Sequence, residues 1–257
     1  ETLAALRTER PAGMELTFGN DATSSEAALY RALGVSSVES YVHWAGVEPE
    51  RGTWDWGQWD EQVRILEEAG LQWVPFLNAG PAYATPLWFH ESGESHYYRC
   101  LEHGRETKVQ SLFNPALPGA VERFVAAFAQ RYRERGVIES ILLGATGIFG
   151  ESIYPAGRGD GWTARLTGPY HCHGGWWVGD THAVSAFRTA MRDRYGSLGA
   201  LNRAWGTAFR DWAAVKTFLP RDAASDRARA DLAEWVQQAM TEWAVFWVEA
   251  TRRHFPD

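Results

Sequence analysis

The stretch Val137-Ile138-Glu139-Ser140-Ile141-Leu142-Leu143-Gly144-Ala145-Thr146-Gly147-Ile148-Phe149-Gly150-Glu151 runs from a largely apolar segment, suited to a strand, into glycines that close around one carboxylate. Upstream, Gly136 ends the segment Pro118 to Arg135, where Val121, Phe124, Val125, Phe128, Ala129 and Tyr132 recur at helical spacing. Before it, Leu71 to Leu77 reads as a strand buried on both faces. Trp59 to Ala69 reads as a helix through Val63, Leu66 and Ala69, with Gly70 as its stop. Ser37 to Trp44 is a strand, Ser24 or Ser25 to just before Gly34 a helix, and Met14 to Gly19 a short strand. These strand–helix alternations predict a parallel sheet with helical crossovers.

Downstream of Glu151 the pattern changes to a Gly- and Trp-rich loop as far as Asp180. Helices are expected at Thr181 to Tyr195, Leu198 to Trp205 and about Asp226 to His254. The last carries Leu232, Trp235, Val236, Ala239, Met240, Trp243, Phe246, Trp247 and Ala250 as a broad apolar stripe, which predicts a packed outer helix. A closed (β/α)8 barrel takes about 250 residues, yet only four strands are read here. The expected fold is therefore α/β of the TIM-barrel type, with about the first four β/α units present as a half-barrel, plus C-terminal helices. Residues 1–257 read as a single domain, without internal repeats or a linker.

The 257 residues are 45% hydrophobic and 22% charged, with 25 Lys+Arg against 32 Asp+Glu for a net charge of −7. No apolar run is long enough to cross a bilayer and no basic cluster exists, which argues against a membrane or nucleic-acid partner. Glu1 in place of Met reads as a processed or trimmed start, with no basic-then-apolar leader pattern near it, so the compartment stays open. Cys100 and Cys172 could form one bridge at most. The 14 tryptophans are the compositional signal: most should be core, and the rest can stack on flat ligands such as sugar rings.

Function in such barrels sits at the C-terminal ends of the strands. Those ends carry Tyr41, His43, Trp44 and then Glu48 after the second strand, and Asn78, Tyr83 and Trp88 after the third. Phe149, Glu151 and Tyr154 follow the fourth. Glycoside hydrolysis needs one carboxylic acid to protonate the leaving oxygen, a second carboxylate, and rings to hold the sugar. Glu151 is the candidate acid, because the glycines around Ile148-Phe149 imply tight backbone placement. His43, Trp44, Glu48, Asn78, Trp88, Phe149 and Tyr154 are the expected sugar-facing floor. Tyr170, Trp176 and Trp177, in the loop from Gly168 to Gly179, are the expected wall. Trp54, Trp56 and Trp59 should pack the second helix, and Asp180 and His182 should cap the helix that follows them. Glu39 either points into the barrel or is solvated at its base. His171-Cys172-His173 contains zinc-type ligands, but adjacent residues rarely face one ion and the usual spacings are missing, so neither a metal nor a cofactor is expected.

The run Val42-His43-Trp44-Ala45-Gly46-Val47-Glu48-Pro49-Glu50-Arg51-Gly52-Thr53-Trp54-Asp55-Trp56, with Trp59-Asp60, resembles the second barrel unit of glycoside hydrolase family 42 beta-galactosidases. Tyr195-Gly196-Ser197-Leu198-Gly199-Ala200-Leu201-Asn202-Arg203-Ala204-Trp205-Gly206-Thr207-Ala208-Phe209 resembles the helical stretch after that family's fourth strand. Gly144 to Pro155 is instead similar to the acid-bearing loop of the beta-amylases, which share the barrel. In both families the glutamate after strand four is the general acid, which implies that role for Glu151. Family 42 enzymes have Asn before the acid, where this chain has Gly150, and beta-amylases have a sugar-binding Asp where this chain has Tyr41. The second catalytic glutamate of both families follows a later strand and is expected outside this chain.

The expected function is a glycoside hydrolase acting on a glycoside or oligosaccharide, beta-galactosidase-like, with Glu151 as general acid/base. The alternative is a non-catalytic carbohydrate-binding or scaffolding half-barrel. Open sheet edges predict self-association or a complementary barrel half in either case.

Overall fold

The computed structural model describes residues 14–155, 166 and 170–256. The chain begins with β1 (Thr17–Gly19), α1 (Ser24–Ala32), β2 (Ser37–His43), the single turn α2 (Trp44–Val47), α3 (Gly57–Ala69) and β3 (Gln72–Asn78). A short α4 (Leu87–His90) leads into β4 (Tyr97–Arg99) and β5 (Glu106–Gln110), and α5 (Leu117–Tyr132) precedes β6 (Leu142–Gly144). Among the described residues that follow, the α-helices are α6 (Thr181–Tyr195), α7 (Leu198–Trp205) and α8 (Asp226–His254).

The main sheet is parallel throughout, in the order β1-β2-β3-β6. Local chemistry sets its helical crossovers. Thr23 caps α1 in a reciprocal capping box, its Oγ1 accepting from the Glu26 amide while Glu26 accepts from the Thr23 amide at 2.8 Å. Gly70 stops α3 in the left-handed region, where a β-carbon would be strained. Two features differ from the sequence reading. The expected strand at Val137–Leu143 meets β3 first as an isolated Trp73–Ile138 bridge, and its ladder forms only at Leu142–Gly144. Between β3 and α5, where the sequence reading places no strand, the chain forms an antiparallel hairpin, β4–β5, in which Thr107 and Val109 are buried while Glu106 is exposed.

Strand alternation divides the sheet into two faces. On β2, Val38, Ser40 and Val42 are buried, and Val38 and Val42 join the core with α3 and α5 residues. Glu39, Tyr41 and His43 are half-buried on the other face, in register with Val74, Phe76 and Asn78 of β3. Trp73, Phe124, Phe128 and Tyr132 fill the core between sheet and helices, and truncating any one to alanine should cost about 3–5 kcal/mol.

A second core, built by α6, α7 and the first half of α8, gathers Phe187, Leu201, Trp205, Leu232 and Trp235. The second half of α8 sends Trp243 and Trp247 into the sheet's core, so this helix, about 43 Å long, joins the two. No helix among the described residues is long and apolar enough to cross a membrane.

Candidate active site

β6 delivers the chain into a doubled-back loop in which a Thr146–Ser152 bridge closes the turn. Gly147 and Gly150 have φ of +82° and +94°. At Gly150 the need for glycine is twofold, because a β-carbon there would also collide with the Asn78 carboxamide oxygen. The side chain of Asn78 is thus wedged between Gly144 and Gly150, fully buried, with Nδ2 donating to the Phe76 carbonyl at 3.2 Å and Oδ1 without a hydrogen-bond partner. The Trp243 indole of α8 donates to the Ala145 carbonyl at 3.2 Å and braces the loop from outside.

This loop presents Glu151 exposed at the C-terminal end of the sheet. The Tyr41 hydroxyl donates to Glu151 Oε1 at 2.9 Å, and the Tyr83 hydroxyl donates to the Phe149 carbonyl at 3.0 Å. Burial, then the hydrogen bond and charge of Glu151, push the Tyr41 phenol up to about 12. Two residues earlier on the same face, Glu39 is raised above the usual carboxylate range by burial and then by the negative charge of Glu151. His43 is lowered by burial, which favours the neutral imidazole. A cleft of about 370 Å³ opens between the loops after β2 and β3, lined by His43, Asp55, Tyr83, Leu87 and His90. A larger groove of about 700 Å³ lies at the other end of β6, against Val248 and Phe255 of the α8 end, away from Glu151.

The expected site residues fall into three groups. His43, Phe149 and Glu151 share the loop face, joined by Tyr41 and Tyr83, whereas Asn78, expected in the same floor, lies beneath the loop with no accessible surface. Trp44, Glu48 and Trp88 form a packing node instead, and Trp44 and Glu48 have no accessible surface with which to touch a sugar. Trp44 and Glu48 lie one helical turn apart, so the indole donates to Glu48 Oε2 at 2.6 Å. Glu48 Oε1 accepts from the Gly52 amide at 2.7 Å and from Arg123 of α5 at 2.5 Å, while the Trp88 indole donates to the Glu48 carbonyl.

The expected wall is described from Tyr170 onward and packs on the hairpin. Trp177 is fully buried with Tyr98 and Cys100, which removes it as a sugar contact, and Tyr170 and Tyr154 pack against the same cluster. Tyr154 meets Tyr98 edge-on at 5.6 Å, and the half-buried Trp176 borders the helical core. Asp180 caps α6, accepting from the His182 and Ala183 amides, whereas His182 lies inside the first turn with its ring against His96. The sequence reading left Glu39 open between the barrel interior and a solvated base and kept Tyr41 and Tyr83 out of the expected floor; alternation along β2 puts the half-buried Glu39 on the same face as Tyr41 and His43. It also set aside a metal, yet Cys100, His103, His171 and His173 bring their ligand atoms within 4.8 Å of one another.

The model of "Glycosyl hydrolase family 14" matches residues 89–244, and that of "Beta-galactosidase" matches residues 17–141. A beta-amylase of Cytobacillus firmus is 31% identical over 192 residues, covering 68% of this chain and 39% of its own length. The beta-galactosidase of Thermus thermophilus is 27% identical over 248 residues, covering 90% of this chain and 34% of its own. The chain therefore spans between about a third and two-fifths of the length of these curated relatives. Among solved structures, the catalytic domain of beta-amylase from Paenibacillus polymyxa aligns with a TM-score of 0.75 at 19% identity, over 94% of this chain and 63% of that one. A beta-galactosidase from Marinomonas ef1 aligns with a TM-score of 0.66 at 20% identity, over 94% and 36%.

Proposed function

The chain belongs to glycosyl hydrolase family 14, whose model covers more than half of it, and from that premise we propose that it takes part in hydrolysing a glycoside or oligosaccharide with Glu151 as general acid/base. The observation that carries this reading is the setting of Glu151: exposed at a strand's C-terminal end, oriented by Tyr41, on a loop braced from both sides and joined by Tyr83 to the cleft that Tyr83 lines. A carboxylate so placed keeps lone pairs open for a proton and a leaving oxygen. His43, Tyr83 and Phe149 border the space a sugar would enter. The Asn78 carboxamide fills the space that a β-carbon at Gly150 would need and has no accessible surface, so in this reading it supports the Glu151 loop from beneath and does not meet the sugar.

Hydrolysis needs a second carboxylate about 5–10 Å from the first. In this reading it comes from outside the chain, on a complementary barrel half or a second copy. Exposed apolar residues at both sheet edges, Leu16 and Phe18 beside β2 and Leu142 on β6, support such a partner. The same edges favour the second reading, a non-catalytic carbohydrate-binding or scaffolding half-barrel.

The test is turnover of a panel of α- and β-linked aryl glycosides by the parent chain and by Glu151→Gln, with the size of the assembly measured alongside. The expected result is hydrolysis by the parent that falls about 10²–10⁴-fold in the variant. No turnover by well-folded, self-associated parent protein would remove a second copy as the source of the other carboxylate, and no turnover after a complementary barrel half is added as well would remove the catalytic reading and leave the binding one.

A further inference from the structure

The hairpin turn and the segment after residue 170 meet at four side chains. Cys100, just past β4, is 1% exposed, with Sγ 3.2 Å from His171 Nε2 and 3.6 Å from His103 Nδ1. The His173 ring lies 4.8 Å from His103 and 5.0 Å from His171. Its Nδ1 is 2.9 Å from the Gly174 carbonyl, which can only accept, so Nδ1 carries the proton and Nε2 presents its lone pair. That Nε2 is buried and has no hydrogen-bond partner. A lone pair left in this way costs free energy unless something electron-poor meets it.

We propose that Cys100, His103, His171 and His173 form a structural site for one divalent transition metal, zinc by its ligand chemistry. A tetrahedral zinc, with bonds of about 2.3 Å to sulfur and about 2.0 Å to nitrogen, holds its ligand atoms about 3.5 Å apart. The two Sγ–N distances bracket that value. One thiolate and three neutral imidazoles make a closed four-ligand set of the borderline-soft kind that suits zinc, without an open position for substrate. The bond from His173 Nδ1 to Gly174 is the outer support that a ligating imidazole normally has. His171 and His173 face one point because a spacing of two returns a non-helical segment to the same side.

The surroundings are arranged to hold these ligands. The Trp177 indole covers His173 and His171 at ring distances of 4.9 and 5.5 Å and donates to the His173 carbonyl at 3.1 Å. The Leu101 amide donates to the Trp176 carbonyl and the Gly179 amide to the Arg99 carbonyl, fastening the two segments on either side of the cluster. A β-carbon at Gly175 would press on the His173 ring. The metal thus staples the hairpin to residues 170–179. Two residues before Cys100, Tyr98 donates to the Ile153 carbonyl at 3.1 Å, which connects the staple to the loop bearing Glu151.

The test uses the metal alone and does not depend on activity. Parent chain stripped with a chelator is titrated with Co²⁺ and then with Zn²⁺. The expected result is one Co²⁺ per chain with the visible bands of four-coordinate cobalt and a thiolate-to-cobalt band in the near ultraviolet, both displaced by Zn²⁺. Cys100→Ser should abolish the thiolate band, His173→Ala should weaken Zn²⁺ at least tenfold, and Cys172→Ser should change neither. Absence of the four-coordinate spectrum, persistence of the thiolate band in Cys100→Ser, or unchanged affinity in His173→Ala would each overturn the proposal. Should these variants fail to fold, the parent decides: its unfolding midpoint should rise with Zn²⁺, and no rise removes the site.

Discussion

Glu48, in the sheet half of the molecule, and Asp231, in the helical half, are buried carboxylates, whereas Glu151, between them in sequence, is exposed. Glu48 accepts from an indole, a backbone amide and a guanidinium. Asp231 accepts from Arg194, Arg227, the Tyr195 hydroxyl at 2.5 Å and the Trp205 indole at 2.7 Å. Glu151 has one hydrogen-bond donor among the described residues, Tyr41. A carboxylate offers about four lone-pair sites, so the first two have theirs largely taken and serve as rivets between elements. Glu151 retains the free acceptor positions that proton transfer requires. The same contrast separates two imidazoles. His90 has both nitrogens within hydrogen-bond distance of partners, Tyr97 and the Ala82 carbonyl, whereas His173 has one buried nitrogen facing other ligand-type atoms.

Asp231 gives the largest expected effect. Burial alone would raise its carboxyl, but hydrogen bonds from Arg227, Tyr195, Trp205 and Arg194 outweigh that and hold it below the usual carboxylate range. Asp231→Ala takes the acceptor from the Tyr195 hydroxyl and the Trp205 indole, while the partly solvated guanidiniums of Arg194 and Arg227 keep Glu234. The expected loss is about 3 kcal/mol in urea unfolding. Because the native carboxyl is lowered, its contribution is present above pH 3.8 and is lost as the pH falls through the native value. A loss under about 1 kcal/mol would show that a full set of donors is not what marks a rivet here.

The helices were legible in the sequence because caps and periodicity reinforce each other. Asp180 and Gly196 bracket α6, and Ser197 and Gly206 bracket α7. The motif around Asn202 was legible only as a resemblance. Its structural reason is that the Asn202 side chain accepts from Thr207 and the Phe209 amide while donating to the Phe209 carbonyl, tying the turn after α7. The expected sugar-facing floor divided for a similar reason. Position after a strand was enough to place Glu151 at the C-terminal end of the sheet, but a tryptophan followed four residues later by a glutamate looks the same whether it floors a cleft or joins a helical turn. Burial decides between the two, and burial of Glu48 depends on Arg123, 75 residues away. The metal-ligand group was hidden likewise, because half of it comes from a hairpin whose short strands were not read in the sequence.

The imidazole contrast predicts a smaller, pH-dependent effect. Burial, opposed by the hydrogen bond to the Ala82 carbonyl and assisted by the charge of Lys108, lowers His90 to about 4. The unfolded chain takes up this proton near pH 6.5 and the native one does not until about 4, so stability falls as the pH drops across that window. The slope from one such group approaches about 1.4 kcal/mol per pH unit. Urea midpoints of the parent and His90→Gln, compared at intervals between pH 7 and 4, should show the parent losing this component and the variant lacking it. Parallel curves would mean that His90 accepts a proton without losing its two partners.

The smallest effect tests the open end of the comparison. Glu151→Gln should leave the urea midpoint unchanged, since its side chain is exposed and holds no buried donor. It should instead move Tyr41. That phenol is held at about 12 first by burial and then by the hydrogen bond and charge of Glu151. Removing the charge takes away the Coulombic effect of Glu151 and weakens the hydrogen bond, but leaves burial and the charge of Glu39, so its titration should fall from about 12 toward, but not to, the ordinary value of 10. Ultraviolet titration of the parent and Glu151→Gln, each with and without Tyr41→Phe, isolates this phenol from the other tyrosines. In the parent the raised value favours the fold below pH 10, and that contribution is lost as the pH rises from 10 through 12, because the native state holds the proton longer than the unfolded one. An unmoved Tyr41 titration would mean that the two side chains are not in contact in solution, and Glu151 would then lack the orienting partner that sets it apart from a solvated surface glutamate.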